Sequence, residues 1–457
     1  MKSISDSTEC CKSELDLFYS LPTNTSITSS SYMTVSSNPL SGNEENFEIN
    51  VNGSDEYTDL SDIFMKLEIE ITNEKAFDET EFKIGPINNL GHSLFKKIDL
   101  SIGSGLNKKL VEIGSSHYAY KAYLLNHLNY GVDAKEGWMQ SGLYYNDTHN
   151  LFNNTSIERE EKSKVKKSGG TDENDVVEII QPIIFNNGYV MRRKEFVDGK
   201  GTIKLIIPLH CDFLHSNRFL LNNIGLFFQF ERNKHNFILM GDGTDFKIKI
   251  KKADMMVRKC QIHETVKLAH LKALEIADAK YPIKQNKVYV SGLDDGTNEY
   301  TINTYGSYIP NRIICGLVLD SAYNGILKEN PFNFEAYKLE SITLIINDIS
   351  RVIKINTSKN DYSEGYHSLC ESLNIYGDSN SIIKKTEYSK GNSFFCFNLM
   401  PDKGCNEQYD TIKMGNLQLK LNFSEAVEKK LRLISIMEYD NQININKKME
   451  VSFDYDL

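Results

Sequence analysis

The run Phe64–Thr72, FMKLEIEIT, alternates strictly: Met65, Leu67, Ile69 and Ile71 fall on one side, Lys66, Glu68 and Glu70 on the other. A period of two belongs to a strand with one dry and one wet face, and a helix would scatter this pattern around its axis. Related runs recur along the chain. LFKKIDLSIG, GTIKLIIPLHCDFL, IGLFFQFERN and DFKIKIKKADMMVRKCQI occupy the first half, and in the last of these Phe246, Ile248 and Ile250 alternate with Lys247, Lys249 and Lys251. KQNKVYVSGL, RIICGLVLD, YKLESITLIIND, RVIKINTS, NSFFCFNLM, NLQLKLNFSE and KKLRLISIMEYDNQININ follow in the second, parted by Gly, Asn and Asp turns. Many short strands in each half predict an all-β chain with a jelly roll or similar sandwich in each. The length, 457 residues, is too great for one ordinary core and suits two. No residue-level repeat links the halves.

Other segments interrupt the strands. SSHYAYKAYLLNHLNYG predicts a helix, started by Ser115 or Ser116, with Tyr120, Leu124 and Leu128 on one face and Gly131 as its stop. Residues 132–180 form a long excursion whose charged part, SIEREEKSKVKKSGGTDENDVVE, reads as a mobile surface loop. ETVKLAHLKALEIADAKYP reads as a second helix, including Leu268 and Leu271 and stopped by Pro282. The domain boundary is placed there. Residues 1–45 are an N-terminal arm, rich in Ser, Thr and Asn; residues 46–263 are the first sandwich and residues 264–457 the second.

A net charge of −10 excludes a general nucleic-acid binder, which would repel phosphate as a whole. The eight cysteines are scattered, with no C-x-x-C pair, as expected of buried thiols in a reducing compartment. No apolar leader stands at the N-terminus, and no stretch is long and apolar enough to span a membrane.

Each motif with a chemical reading has a structural one beside it. IGPINNLGHSLFKKIDLSIGSGLNKKL (Ile84–Leu110) has glycines and paired lysines but lacks the G-x-x-x-x-G-K-[ST] spacing of a phosphate loop. Gly85-Pro86, Asn88-Asn89, Gly103 and Gly105 read as turn residues, and Leu94, Phe95, Ile98 and Leu100 as core. PLHCDFLHSNRFLL gathers the candidate metal ligands His210, Cys211, Asp212 and His215. On a strand, however, His215 would point away from His210 and Asp212, and no second cluster completes a zinc set. The acids of DLSD and EIE and the bases of NKKLVE, KIKIKK and VEKKLRL read as solvated faces. No nucleophile motif singles out a serine or cysteine. No catalytic, cofactor-binding or metal-ligating residue is assigned.

The chain as a whole resembles the major capsid proteins of Polinton/Maverick elements and adintovirus-like viruses. The resemblance is carried by SELDLFYSLPTNTSI, DEYTDLSDIFMKLEIEI, GPINNLGHSLFKKIDLSI, YAYKAYLLNHLNYGVDAK, RFLLNNIGLFFQFERNKHNFILM, AHLKALEIADAKYPIK, IPNRIICGLVLDSAYNGILKENPFNFEAYKLESITLIIND, EYSKGNSFFCFNLMPD, GNLQLKLNFS and EYDNQININ, in order from about Ser13 to Asn446. The charged loop at 157–176 has no counterpart. The resemblance implies a double jelly roll: two eight-stranded antiparallel β-sandwiches with inserted helices and long loops. It further implies a non-enzymatic tile of an icosahedral double-stranded DNA virus shell. Three copies would form a pseudo-hexagonal capsomer, with capsomer–capsomer contacts and penton or minor capsid proteins as partners. The protein would sit in the virion capsid, after assembly in the host cytoplasm or nucleus, with no cofactor and no sequence-specific nucleic-acid contact. Alternatives are a minor capsid or domesticated virus-derived structural protein, or a jelly-roll binding protein or enzyme; a cupin would need a clustered His/Glu metal set.

Overall fold

The computed structural model describes residues 10, 12–18, 20–38, 44–73, 75, 77–79, 82–105, 107–112, 114, 116–156, 160–166, 176–182, 185–243, 245–303, 307–376, 382–401, 403, 408–411 and 413–455. The first half contains β1 (Ile27–Ser36), β2 (Asn46–Val51), β3 (Tyr57–Thr72), β4 (Ile84–Pro86), β5 (Phe95–Ser104), β6 (Asn107–Glu112), β7 (Glu160–Lys166), β8 (Val176–Pro182), β9 (Thr202–Pro208), β10 (Gly225–Arg232), β11 (Leu239–Gly241) and β12 (Lys247–Ile262). Its helices are α1 (Leu90–Ser93), α2 (Tyr118–Asn129), α3 (Val132–Glu136), α4 (Asn187–Asp198) and α5 (His235–Ile238), followed by α6 (Glu264–Ala273). The second half contains β13 (Ala279–Leu293), β14 (Glu299–Asn303), β15 (Arg312–Leu319), β16 (Leu339–Ile346), β17 (Ile349–Lys354), β18 (Phe394–Asn398), β19 (Leu417–Phe423), β20 (Leu431–Ile445) and β21 (Val451–Phe453), with α7 (Asp320–Asn324), α8 (Ser363–Ser372) and α9 (Lys385–Tyr388).

Two four-stranded sheets, β1-β12-β3-β9 and β2-β10-β5-β6, make the first sandwich. In the second, β13-β20-β15-β18 faces β14-β19-β16-β17, and the short β21 adds to β20. Counting the eight principal strands of each half in chain order, both halves place the first, eighth, third and sixth in one sheet. Both place the second, seventh, fourth and fifth in the other. That doubled Greek-key order defines a jelly roll. The repeat absent from the residues is therefore present in the topology. Both rolls also carry their longest helical insertion between the fifth and sixth principal strands: α2 to α4 in the first, α8 and α9 in the second.

The alternation in β3 does what its period requires. Met65, Leu67, Ile69 and Ile71 are buried inside the first roll. On the outer face, Glu70 and Glu68 stand opposite Lys249 and Lys252 of β12, and Lys204 of β9 also stands opposite Glu68. β15, RIICGLVL, has no alternation and is buried along most of its length because its sheet is covered on both sides. Ile313, Cys315 and Leu317 pack between the two sheets of the second roll, while Ile314 and Val318 join the core that continues into the first.

Several expectations are corrected. Part of the N-terminal stretch read as an arm, Ile27–Ser36, is strand β1, held by β12 from Ile27↔Ile262 to Ser36↔Asp254. Its Ser/Thr-rich sequence hid it because an edge strand with little buried surface needs few apolar residues. The excursion at 132–180 includes α3 and the backbone hairpin β7–β8 rather than loop alone. Gly131 precedes α3 at its N-cap position instead of stopping α2; His117 occupies the N-cap position of α2 without a side-chain capping bond, and Ser115 lies outside the described residues. The second helix ends at Ala273, well before Pro282, which pairs with Gln442 inside β13. An edge strand tolerates proline because one side of its backbone needs no partner.

Candidate functional site

The densest group of buried ionisable side chains lies where the two rolls meet, around α2. Of its twelve residues ten are buried, including Lys121, Asn126 and His127, so the helix is enclosed on nearly every side rather than along one stripe. Tyr123 stacks on Phe332 of the second roll at 4.1 Å between ring centres and 1° between planes. Tyr120 meets Phe332 and Phe334 edge-on.

Lys121 sits between two carboxylates, 2.7 Å from Glu112 at the end of β6 and 2.9 Å from Asp212 just after β9. Glu112 also accepts the Asp212 backbone N–H at 2.6 Å. Asp212 in turn accepts the backbone N–H of Asn286 at 2.9 Å and its side-chain amide at 3.1 Å, and Asn286 belongs to β13. One cation thus neutralises two acids, and one acid carries the link into the second roll. Burial raises the Glu112 pKa to about 7; Lys121 opposes that rise and Asp212 adds to it. Burial also works against the Lys121 ammonium, but Asp212 and Glu112 outweigh it and hold its pKa above the ordinary value. Lys121 is therefore the charged hub, and Glu112 is a weakened acid.

A second network lies in the insertion beyond α2. Arg192 of α4 donates to the carbonyls of Pro86 at 3.0 Å and Tyr145 at 2.8 Å, and to Asp147 at 2.7 Å. Both side chains of this ion pair are completely buried. Asp147 also accepts from Asn186 at 2.9 Å and from Asn330 of the second half at 3.1 Å. His127 adds another cross-link, 2.8 Å from the Tyr144 hydroxyl and 2.9 Å from the Asn392 side-chain oxygen Oδ1.

The candidate metal ligands are close in space but committed elsewhere. His210 pairs with Asn126 at 2.7 Å, and its ring lies 4.8 Å from His92 and 5.6 Å from His215. Asp212–His215 is a 3-10 turn, not a strand, so the two-faced strand argument for His215 does not apply. Asp212 serves Lys121 and Asn286. Burial pushes the Cys211 thiol well up, keeping it protonated. Among the described residues, no three His, Cys, Asp or Glu side chains are arranged to hold a metal.

The other charged motifs also resolve into structural pairs. Lys251 of KIKIKK bonds Glu70 of EIE at 2.9 Å. Asp59 and Asp62 of DLSD share Arg258 at 3.2 and 3.5 Å, and Tyr32 donates to Asp62 at 2.7 Å. In NKKLVE, Lys108 lies 3.5 Å from the Phe227 ring centre. In VEKKLRL, Lys430 meets Asp294 at 3.1 Å and Arg432 meets Asp320. Gly103 and Gly105 flank the β5–β6 turn; a side chain at Gly103 would lie 1.9 Å from the Asn107 carbonyl oxygen. Lys96 and Lys97 pair with Glu231 and Asp99.

Sequence reasoning missed Glu112, Lys121, Asn286, Asp147 and Arg192. Only Lys121 left a trace, as a lone cation inside the otherwise apolar and aromatic YAYKAYLL. A cavity of about 330 Å³ borders Glu112, Lys121, Asp212 and Asn286. A wider cleft of about 870 Å³ opens beside Arg218, Lys284, Arg312 and Glu438, with charges of both signs. The chemistry these groups perform is attachment: they hold two sandwiches in one orientation.

The fold is the double jelly roll. The chain superimposes on a chain of the Sputnik virophage with a TM-score of 0.64, over 98% of its own length and 93% of the other, at 12% identity. A chain of the PBCV-1 virus capsid gives 0.54 over 96% and 100% at 10% identity. The Faustovirus major capsid protein gives 0.51 over 94% and 92% at 10% identity. In sequence, the chain is 26% identical over 351 residues to the uncharacterized protein F54H12.2 of Caenorhabditis elegans, covering 74% of each. No family model matches.

Proposed function

We propose that this chain is a major capsid protein: a structural, non-enzymatic tile of an icosahedral double-stranded DNA virus shell, located in the virion. The observation that carries this reading is one jelly-roll strand order used twice and locked into a single body by buried contacts. A shell tile needs this rigidity, because small errors between its halves would multiply across many copies. The capsid chains it superimposes on share that architecture over nearly their whole length.

The finer reading is a homotrimeric, pseudo-hexagonal capsomer, in which three double rolls present six sandwiches around one axis. Penton and minor capsid proteins would complete the shell, with assembly inside the host cell. Its chain division is an N-terminal arm, a first roll up to residue 263 and a second from residue 264, with β1 counted into the first. A Polinton/Maverick or adintovirus-like origin rests on the sequence resemblance from about Ser13 to Asn446. The source of the sequence relative, a nematode rather than a virus, favours the second reading, a domesticated copy that builds no virion.

Electron microscopy of the purified protein separates the two. Three-fold particles with a hexagonal outline, tiling into closed shells, are expected. Particles that never tile under any assembly condition would favour the domesticated reading, and stoichiometric metal in the pure protein would contradict a purely structural role.

A further inference from the structure

Among the described residues, two unpartnered apolar surfaces lie at one corner of the first roll. The segment before β1 carries Leu17, Phe18 and Leu21, with Phe18 99% and Leu21 87% exposed. Helix α6 and the turn after it carry Leu268, Leu271 and Ile276 outward, with Ile276 89% exposed. The helix instead turns Val266, Lys267 and His270 toward the roll: Lys267 is buried and reaches Asp55 at 2.7 Å, and His270 meets the Tyr57 hydroxyl at 3.0 Å. The two surfaces start from one point, because the His263 N–H at the start of α6 donates to the Ser26 carbonyl at 2.9 Å.

We infer that Leu17, Phe18 and Leu21 of one copy dock on Leu268, Leu271 and Ile276 of a second copy of this chain. The described part of the arm does not cover its own α6, although its root is bonded there. Pro22 explains why: it biases Leu21 to an extended backbone, which carries the arm onward instead of letting it fold back. Charges agree once internal pairs are counted: Glu14 pairs with Lys12 at 3.1 Å, Glu264 with Lys267 at 3.8 Å and Glu275 with Lys447 at 3.0 Å, which leaves the exposed Asp16 on the arm and the exposed Lys272 on α6. The contact joins different surfaces of the two copies. It is therefore heterologous, closing into a ring or extending across a lattice. The inference rests on the tile reading and names one contact by which tiles associate.

Benzoylphenylalanine placed at Phe18 of the full chain, in an equal mixture of heavy-isotope and ordinary protein, tests it. Irradiation is expected to give cross-linked peptides joining the arm to residues 264–278 with mixed heavy and light halves. The double variants Leu17→Ser/Phe18→Ser and Leu268→Ser/Leu271→Ser are each expected to weaken self-association at least ~10-fold, on the scale of losing two buried apolar side chains. Their circular dichroism spectra should stay unchanged, because these side chains are exposed in the single chain. Cross-links confined within one chain, or landing on other surfaces of an assembled particle, overturn the inference and leave the tile reading standing. A chain that remains monomeric at every concentration overturns both.

Discussion

Lys121 shows how much one buried cation can control. Replacing it with Met would leave Glu112 and Asp212 facing each other without a counter-charge. The expected loss is about 3–5 kcal/mol, read as a lowered denaturation midpoint. Glu112→Gln tests the same site through pH. The folded Glu112 pKa, about 7, lies above its ordinary value of 4.5, so between those pH values the folded chain holds the extra proton and this group adds stability as pH falls. The histidines act oppositely. Burial lowers His92 to about 3 and also lowers His127, His210 and His215, so below pH 6.5 the unfolded chain gains protons that the folded chain refuses. Each such group costs up to ~1.4 kcal/mol per pH unit. Four histidines against one glutamate predict that thermal stability falls from pH 6.5 to pH 5. Glu112→Gln, by removing the opposing group, should steepen that fall. An unchanged or shallower slope in calorimetry would contradict the assignment. Lys121, His210, Asp212 and His215 leave traces in the sequence, but Glu112 does not: it closes an ordinary-looking NKKLVE, and of its two partners Lys121 lies 9 residues away and Asp212 100.

Among the elements, α2 joins the rolls. Tyr123→Ala would remove a ring stacked on Phe332 and open a cavity between the sandwiches. About 3–5 kcal/mol of stability should be lost. Because the ring serves both rolls, they should still unfold in one transition; two separate transitions in the wild type would mean that the junction does not couple them. The helix was legible as a helix, from the spacing of Tyr120, Leu124 and Leu128, but its all-round burial was not, because periodicity reports one face and is silent about a second covering layer. Strands with one wet face, such as β3, were plain for the converse reason. β1 was hidden by its scant burial, and Pro282 misled because a proline that ends a helix and one on an edge strand look alike in sequence. Leu268 and Leu271 were read simply as parts of a helix, yet the helix buries Lys267 and exposes them.

At the scale of the whole molecule, two sandwiches with no residue-level repeat share one strand order. Many sequences satisfy the same alternation and turn chemistry, so topology persists where identity does not. The doubled order, the continuous core at the junction and the commitment of buried charge to attachment describe a rigid building unit. Lys and Glu ladders over β3 and β12 give that sheet a charged outer face. The measurement that tests this most directly is the mass of the purified protein in solution, by light scattering on a sizing column. One chain weighs 52.2 kDa, so a closed three-fold unit weighs roughly 157 kDa. The account predicts that mass, stable on dilution; a chain that stays at the monomer mass at every concentration would contradict it.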